Sequence, residues 1–411
     1  MNPNQKVAET IAEKCKFAKP RFLTSMKKVA VIPLRAGSKG IPGKNKRKLM
    51  GRPLFQWVLS EAIFSDLDKI YVFTDDLEIL EQVKNEYHWT TKVEGIKRSE
   101  ESATDKASTE FAMLEVAGRI ESDFDIFCLL QATSPLTTKE DINNCLQKVE
   151  QENYDSALTV VETKRFIWSG DGKSLNYDYL KRPRRQDFNG LLIENGAVYA
   201  ANKETFTENR NRLGGKIGIV TMPEDTLTEI DEISDWVILE KLIENRLKEH
   251  KKNPQAIKAM VFDVDGVFTD GSVAVSPDKE LFKQFSVRDG MGFEILRQSG
   301  IIPIVMTSED SPIVSTRMKK LKIEELHMGV KDKYARLNTV LQKLGIKRNE
   351  VAYVGDDIND MANLASVAWG IAPSNALDSI KLITDLTLTN PGGNLAIREA
   401  IDFIHKFNQK F

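Results

Sequence analysis

This sequence has few cysteines, few histidines and almost no net charge. Its 411 residues include three cysteines and four histidines, and 58 Lys and Arg nearly cancel 60 Asp and Glu, leaving a formal net charge of -2. Cysteines so few, with no CxxC pair, exclude a disulfide framework and a cysteine-based zinc site, and they favour a reducing, cytoplasmic setting. The near-neutral charge excludes a broad basic field, so we expect no nucleic-acid partner and no anionic membrane surface as a partner.

The sequence also lacks long apolar runs. No stretch approaches the roughly 18 apolar residues of a membrane span, and residues 1–27 have no apolar signal-peptide core. We therefore expect a cytoplasmic protein with residues 1–27 as an appended arm. A nuclear location stays open if the source is a eukaryote, since the basic stretches 44–48 and 181–185 look like nuclear-localisation signals.

Short apolar runs alternate with stretches of helical length over the rest of the chain. This alternation predicts an α/β fold with two doubly wound, Rossmann-like domains and mostly parallel sheets. A charged stretch ending in Pro254 separates them, and before it Ser234 is the predicted N-cap of a helix with a buried face. The predicted divisions are an arm over 1–27, a first domain over 28–250, a linker over 251–256 and a second domain over 257–411.

Carboxylates and a few polar residues follow the strands of the second domain. Asp263 and Asp265 come directly after a buried run, and Thr307 and Asp356 end two later runs, with Lys333 between them. One carboxylate of such a pair can attack while the other exchanges a proton. A hydroxyl can hold a phosphoryl oxygen, a lysine can neutralise charge, and further carboxylates suit Mg²⁺.

These four motifs resemble the haloacid dehalogenase (HAD) superfamily of aspartate-nucleophile phosphatases. The resemblance implies Asp263 as nucleophile, Asp265 as general acid and base, Thr307 and Lys333 as catalytic partners, and Mg²⁺ at Asp263, Asp265 and Asp356. The spacing from Asp263 to Thr307 leaves no room for a cap domain. Residues 285–292 and 391–399 look like those of the capless, tetrameric deoxyoctulosonate and nonulosonate phosphatases.

One position separates these two phosphatase types. The octulosonate enzymes look like Ser-Gly-Arg after the second strand, whereas this chain has Thr307, Ser308 and Glu309. Glu309 is therefore the residue expected to face the sugar acid, and it favours the nonulosonate 9-phosphate type. The resemblance also implies a homotetramer assembled through this domain.

A glycine-containing loop with three cations follows the first strand of the first domain. Arg35, Lys39 and Lys44 can meet a polyphosphate there, and the glycines let the backbone approach it. The loop matches neither the P-loop pattern nor the opening of a dinucleotide fold.

Six ordered motifs between residues 33 and 236 resemble the N-acylneuraminate cytidylyltransferases, which join CTP and a sialic acid into CMP-sialic acid. The resemblance implies CTP binding with Arg35 and Lys44 also catalytic, sugar-acid binding, and Mg²⁺ at Glu229 and Asp231, where relatives usually have two aspartates. The implied CTP ligands are Arg35, Lys39, Lys44, Asn45, Arg98 and Ser108. The implied sugar-acid ligands are Gln131, Arg185 and Tyr199.

The sequence thus predicts a bifunctional enzyme of nonulosonic acid activation that uses Mg²⁺ in both domains. Its expected partners are CTP and a sialic or related nonulosonic acid with its 9-phosphate. The alternative is a cytidylyltransferase whose second domain is a non-catalytic tetramerisation module, as in vertebrate relatives. The identity of the acid stays open, whether N-acetylneuraminate, KDN, or a pseudaminic or legionaminic acid.

Overall fold

Two sheets, one in each half of the chain, organise the protein. The computed structural model describes residues 26–37, 40–104, 106–251, 253–278 and 280–411. Nearly all of the predicted arm therefore lies outside the described residues, as does Lys39. Helices pack on both sheets, so the predicted α/β class is confirmed. None of the helices in the described ranges is long and apolar enough to cross a bilayer.

The first sheet has seven strands in the order β5-β4-β1-β6-β8-β7-β9. Its strands and a small hairpin are β1 (Lys28–Leu34), β2 (Lys48–Leu49), β3 (Arg52–Pro53), β4 (Lys69–Thr74), β5 (Val93–Lys97), β6 (Ile126–Leu130), β7 (Ser156–Thr163), β8 (Leu191–Asn202) and β9 (Ile217–Met222). The sheet is parallel except for β8, which is antiparallel to β6 and β7. Residues 164–190 carry only two short 3-10 turns and no crossover helix, so the chain returns in the opposite direction.

Helices cover both faces of this sheet. They are α1 (Leu54–Phe64), α2 (Leu77–Glu86), α3 (Glu100–Ala103), α4 (Thr109–Arg119), α5 (Lys139–Glu150), α6 (Lys203–Asn209) and α7 (Ile233–Lys248). The predicted N-cap at Ser234 is wrong, because α7 begins at Ile233 with Glu232 as its N-cap. The Asp235 carboxylate accepts the backbone N–H of Glu232 at 2.7 Å and so starts the helix earlier.

The second sheet has six parallel strands in the order β14-β13-β10-β15-β16-β17. The strands of this half, with the separate hairpin β11–β12, are β10 (Ala259–Phe262), β11 (Ala274–Val275), β12 (Glu280–Phe282), β13 (Ile302–Met306), β14 (Glu325–His327), β15 (Val351–Val354), β16 (Trp369–Ala372) and β17 (Leu386–Thr387). The helices are α8 (Val287–Gln298), α9 (Pro312–Lys320), α10 (Lys333–Leu344), α11 (Met361–Ser366), α12 (Asp378–Lys381) and α13 (Ala396–Asn408). The strand order reverses at β10, which puts a crevice at its carboxyl end.

No cap domain interrupts the described parts of the second half. Only the β11–β12 hairpin, α8 and the sheet strand β13 lie between Asp263 and Thr307 in the described ranges 263–278 and 280–307. The C-terminal helix α13 buries Ile397, Ile401 and Ile404 in the core of its own chain. The tail is thus part of the second half's own core.

The two halves share one apolar cluster. Trp57 and Trp236 of the first half pack there with Tyr334 of the second, and the ring centroids of Trp57 and Tyr334 are 5.5 Å apart. We call this group the shared cluster. Its buried members are Ile41, Leu49, Met50, Leu54, Trp57, Leu136, Ile230, Trp236, Leu239, Ile243, Leu247, Tyr334, Ala362 and Ala365.

Candidate active sites

A buried lysine lies between two carboxylates in the crevice beyond β10. Lys333 Nζ is 2.7 Å from Asp263 Oδ2 and 2.8 Å from Asp360 Oδ1, and the Tyr353 hydroxyl donates to the same Asp360 oxygen at 2.7 Å. All four residues are at most 5% exposed. The ends of β10 and β15 and the start of α10 meet there, so residues from three distant segments form one site.

Burial and mutual repulsion govern ionisation in this site. Burial, then the charge of Asp360, raises the pKa of Asp263 well above its usual value. The same two causes raise the pKa of Asp356 to about 7. For Lys333 burial acts to lower the pKa, but the negative charges of Asp263 and Asp360 outweigh it and the pKa is raised.

Three of these carboxylates form a group of the kind that holds a metal ion. Oxygens of Asp263, Asp356 and Asp360 lie within 4.8 Å of one another. Asp356 Oδ1 is buried without a hydrogen-bond partner. When all are ionised, three carboxylates and one lysine carry a charge of about -2, which a divalent ion would neutralise, and an all-oxygen donor set suits Mg²⁺. The residues present therefore fit the ion that the sequence predicts.

Asp265 lies at the same strand end, and Lys283 binds its carboxylate. Its two carboxylate oxygens accept hydrogen bonds from Lys283 Nζ at 2.7 and 2.9 Å, and its side chain is not in the carboxylate group described above. Lys283 is 7% exposed and comes from the β11–β12 hairpin segment. Lys283 was not predictable from the sequence, since one lysine in a hairpin of mixed charge carries no distinctive pattern.

Two further predicted residues border this crevice. Thr307 is 1% exposed and follows β13, the neighbour of β10, so its hydroxyl lies at the same edge of the sheet. Glu309 is exposed at the rim, where Lys331 Nζ lies 3.5 Å from its Oε1. Behind them Asn359 donates to the Ser308 hydroxyl at 2.9 Å and ties the two loops together.

A second candidate site is a cavity of about 340 Å³ at the carboxyl end of β1. Five predicted residues line it: Arg35, Lys44, Asn45, Arg98 and Gln131. Three cationic side chains on one small cavity create a site for an anion such as a polyphosphate. Four of the predicted CTP ligands, from two separate segments, thus share one cavity with Gln131, which was predicted to bind the sugar acid.

Hydrogen bonds to backbone carbonyls hold these side chains in place. Asn45 Nδ2 donates to the Arg35 carbonyl at 3.1 Å, and Arg98 Nη1 donates to the Leu34 carbonyl at 3.3 Å. Burial lowers the pKa of Arg98. Ser108 does not line the cavity, because its hydroxyl caps α4 by accepting the Phe111 N–H at 3.1 Å.

The predicted metal carboxylates of this half lie near Lys44. Lys44 Nζ donates to the Ile230 carbonyl at 2.7 Å and is 3.5 Å from Asp231 Oδ1. Glu229 packs against Gly196, where a Cβ would approach its Oε1 to 2.4 Å. Burial, then the charge of Asp231, raises the pKa of Glu229. The two residues supply two carboxylates beside the cavity.

The other two predicted sugar-acid ligands lie apart from this cavity. Arg185 is exposed and lines a separate cavity of about 600 Å³ with Lys164, Arg165 and Arg182. Tyr199 is 3% exposed in the core, and its hydroxyl donates to Glu194. The structure therefore brings Gln131 to the nucleotide cavity but neither Arg185 nor Tyr199.

Comparison with known proteins accounts for both halves. A family model described as cytidylyltransferase matches residues 29–253. The chain belongs to the cytidylyltransferase family. A second model, described as haloacid dehalogenase-like hydrolase, matches residues 306–393. This cytidylyltransferase therefore carries a HAD-like hydrolase domain in its C-terminal half, as its motifs predict.

Relatives match the whole chain or the second half alone. N-acylneuraminate cytidylyltransferase B of Danio rerio is 30% identical over 93% of this chain and 91% of its own length. A 3-deoxy-D-manno-octulosonate 8-phosphate phosphatase of Haemophilus influenzae is 34% identical over 36% of this chain and 82% of its own. The Moraxella catarrhalis phosphatase of that name, solved with magnesium, phosphate and KDO, is 34% identical over 42% of this chain and 94% of its own, with a TM-score of 0.36.

Proposed function

We propose that this cytidylyltransferase transfers CMP from CTP to a sialic or related nonulosonic acid and that its second half removes phosphate from the 9-phosphate of such an acid. Hydrolysis frees the acid that transfer consumes. The full-length match to N-acylneuraminate cytidylyltransferases supports the first activity. The buried Lys333 between Asp263 and Asp360 is the observation that carries the second.

For transfer, the anomeric hydroxyl of the acid attacks the α-phosphorus of CTP and gives up its proton to solvent, and pyrophosphate leaves with the electron pair of the broken bond. Arg35 and Lys44 neutralise charge that develops on the phosphates, and Arg98 adds a third cation. Catalysis then comes from positioning, without a covalent intermediate. Glu229 and Asp231 would hold the Mg²⁺ that accompanies CTP.

For hydrolysis, an Asp263 oxygen attacks the phosphorus, and the sugar oxygen leaves with a proton from Asp265. Asp265 then takes a proton from the water that attacks the aspartyl-phosphate and releases phosphate, so that Asp263 returns as a carboxylate and Asp265 as the protonated acid. Thr307 and Lys333 hold the phosphoryl oxygens. When bound at Asp263 and Asp356, Mg²⁺ would neutralise the negative charge that develops at these carboxylates.

A non-catalytic C-terminal module remains the alternative. A structural domain has no need of a lysine 1% exposed between two aspartates, because replacing such a buried charged network by apolar residues of similar volume is often neutral or stabilising by about 1–4 kcal/mol. The buried network therefore favours a catalytic role.

A nonulosonate 9-phosphate is the proposed phosphatase substrate, although a relative is named for an octulosonate 8-phosphate. Glu309 and Lys331 stand together at the rim of the crevice, where a polyhydroxy acid would enter. A hydroxyl-rich substrate can donate to the glutamate while its carboxylate meets the lysine.

A homotetramer is also proposed. The β11–β12 hairpin region exposes Val273, Val275, Leu281 and Phe282, and each is more than 40% exposed. Contiguous apolar side chains of this kind favour association between copies. Light scattering should give four chains per particle, and Phe282→Asp should lower that mass.

The test supplies the purified chain with CTP, Mg²⁺ and a nonulosonate 9-phosphate or an octulosonate 8-phosphate. Phosphate, pyrophosphate and CMP-sugar are measured separately. Asp263→Asn should abolish phosphate release and leave CMP transfer to the free acid unchanged. If the wild-type chain converts the free acid but releases no phosphate from either ester, the second half is a structural module.

A further inference from the structure

The hairpin of residues 48–53 extends from the first half of the chain to the second. Arg52 in this hairpin is 3% exposed, and its Nε and Nη2 donate to the two carboxylate oxygens of Asp332 at 3.1 and 2.9 Å. The Tyr87 hydroxyl, also from the first half, donates to Asp332 Oδ2 at 2.8 Å. Both oxygens of Asp332 are therefore held by side chains of the transferase half.

Asp332 immediately precedes the lysine of the phosphatase crevice. It is the N-cap of α10, and its Oδ1 accepts the Ala335 N–H at 3.3 Å. Lys333 is the first residue of that helix. A fixed N-cap carboxylate fixes the start and direction of the first helical turn. The position of the Lys333 backbone thus depends on what holds Asp332.

The same hairpin also contacts the loop that carries the other carboxylates. Gly51 has φ +79, and a Cβ at this position would lie 2.0 Å from the carbonyl oxygen of Ile358. Ile358 lies between Asp356 and Asp360. The backbone of the hairpin therefore rests directly on the loop that supplies two of the three clustered carboxylates.

Two neighbouring aromatic rings pack against the guanidinium of Arg52. Its Cζ is 4.5 Å from the centre of the Trp57 ring and 4.6 Å from that of Tyr334. A planar fork bound to both oxygens and packed against two rings has little freedom, and lysine cannot reproduce it. The contact is therefore suited to fixing the position of Asp332 and not only to holding the two halves together.

We propose that Arg52 is a positioning residue of the phosphatase contributed by the transferase half, acting on Lys333 through Asp332. The C-terminal half then reaches its full rate of phosphate release only while the hairpin of residues 48–53 is docked on it. This inference rests on the phosphatase activity proposed above. Arg52 itself touches neither substrate nor reacting atoms.

The test compares full-length variants. Arg52→Met should lower kcat for phosphate release about tenfold to a hundredfold, because a small displacement of a catalytic group has effects of that size. KM should change less than about twofold, since Arg52 does not touch substrate. The kcat of Arg52→Lys should lie between those of Arg52→Met and wild type, because lysine keeps the charge but lacks the planar fork. CMP transfer, measured in the same samples, reports that the first half is folded.

Arg348→Met is the matched control. Arg348 is 8% exposed and its Cζ lies 4.2 Å from the same Tyr334 ring, but its hydrogen bonds go to Asn338, Asn363, Ser366 and the Tyr334 carbonyl. This variant should lower the unfolding temperature while kcat per folded molecule stays near the wild-type value. Tyr87→Phe keeps its ring and loses one hydrogen bond, so kcat should fall roughly threefold to tenfold.

The outcomes separate the possibilities. If Arg52→Met and Arg348→Met both lower the unfolding temperature and both keep the wild-type kcat, Arg52 is purely structural and the inference is wrong. If Arg52→Met does not fold, an unchanged kcat in Tyr87→Phe overturns it equally. A wild-type chain that transfers CMP but releases no phosphate would instead remove the proposed phosphatase, and this inference with it.

Discussion

Replacing Asp356 with asparagine tests the electrostatics of the phosphatase crevice without magnesium. Burial and the neighbouring charge of Asp360 raise the Asp356 pKa from 3.8 to about 7, and its Oδ1 is buried without a partner. In metal-free protein this carboxylate is therefore a stability cost at neutral pH. Asparagine has nearly the same shape and cannot ionise.

The size and sign of the effect follow from linkage. A shift of roughly three pKa units corresponds to up to about 4 kcal/mol. Because the folded pKa lies above the unfolded one, the stabilising contribution is complete below the unfolded pKa of 3.8 and is lost as pH rises through about 7. In EDTA, Asp356→Asn should therefore exceed wild-type stability by only about 1.6 kcal/mol near about pH 5 and by up to about 4 kcal/mol near about pH 8, because the loss begins at the unfolded pKa of 3.8.

Urea unfolding in EDTA at both pH values measures this difference. Asp402→Asn is the control, because Asp402 forms only a partly exposed ion pair with Arg398, worth at most about 1 kcal/mol. Mg²⁺ at about 100 times its Kd should stabilise the wild-type chain by roughly 2.7 kcal/mol and the Asp356→Asn variant much less. A variant that is less stable than wild type in EDTA at the higher pH would refute the reasoning.

Three further outcomes are expected. Lys44→Met should lower CMP transfer at least about a hundredfold and leave phosphate release unchanged, since Lys44 lines only the nucleotide cavity; equal losses in both assays would contradict separate sites. Glu229→Asp should keep Mg²⁺-dependent transfer that Glu229→Ala loses, and a fully active alanine variant would remove Glu229 from the metal site. Glu86→Gln should stabilise the chain above about pH 7, because burial and the charge of Asp332 raise the Glu86 pKa to about 7; urea midpoints that match wild type across pH would contradict this.

Sequence reasoning located the phosphatase crevice because its residues follow strands that a parallel sheet must align. Asp263, Thr307 and Asp356 end β10, β13 and β15, which are neighbours in the sheet. Position along a strand does not fix the direction of a side chain, however. Asp265 was predicted to join the metal ligands, but its carboxylate is bound by Lys283 from a hairpin that no periodicity connects to it.

In the first half, the nucleotide cavity was predictable and the sugar-acid surroundings were not. Arg35 and Lys44 belong to one loop, whereas Arg185 lies in the long connection before β8 and Tyr199 lies on a strand that runs antiparallel to its neighbours. The reversed direction of β8 determines the positions of Tyr199 on this strand and of Arg185 in the connection before it. Arg52 and Asp332 are 280 positions apart in the sequence, and no local sequence pattern indicates that they pair.

The shared cluster has a consequence for synthesis of the chain. Trp57, Trp236 and Leu239 leave the ribosome well before Tyr334, Ala362 and Ala365, their partners in the cluster. At about 5–20 residues per second, the delay is on the order of ten seconds. During that time the nascent first half exposes an apolar surface. Chaperones can bind this surface, and neighbouring nascent chains can associate through it prematurely. A shortened chain that ends after α7 would keep that exposure permanently.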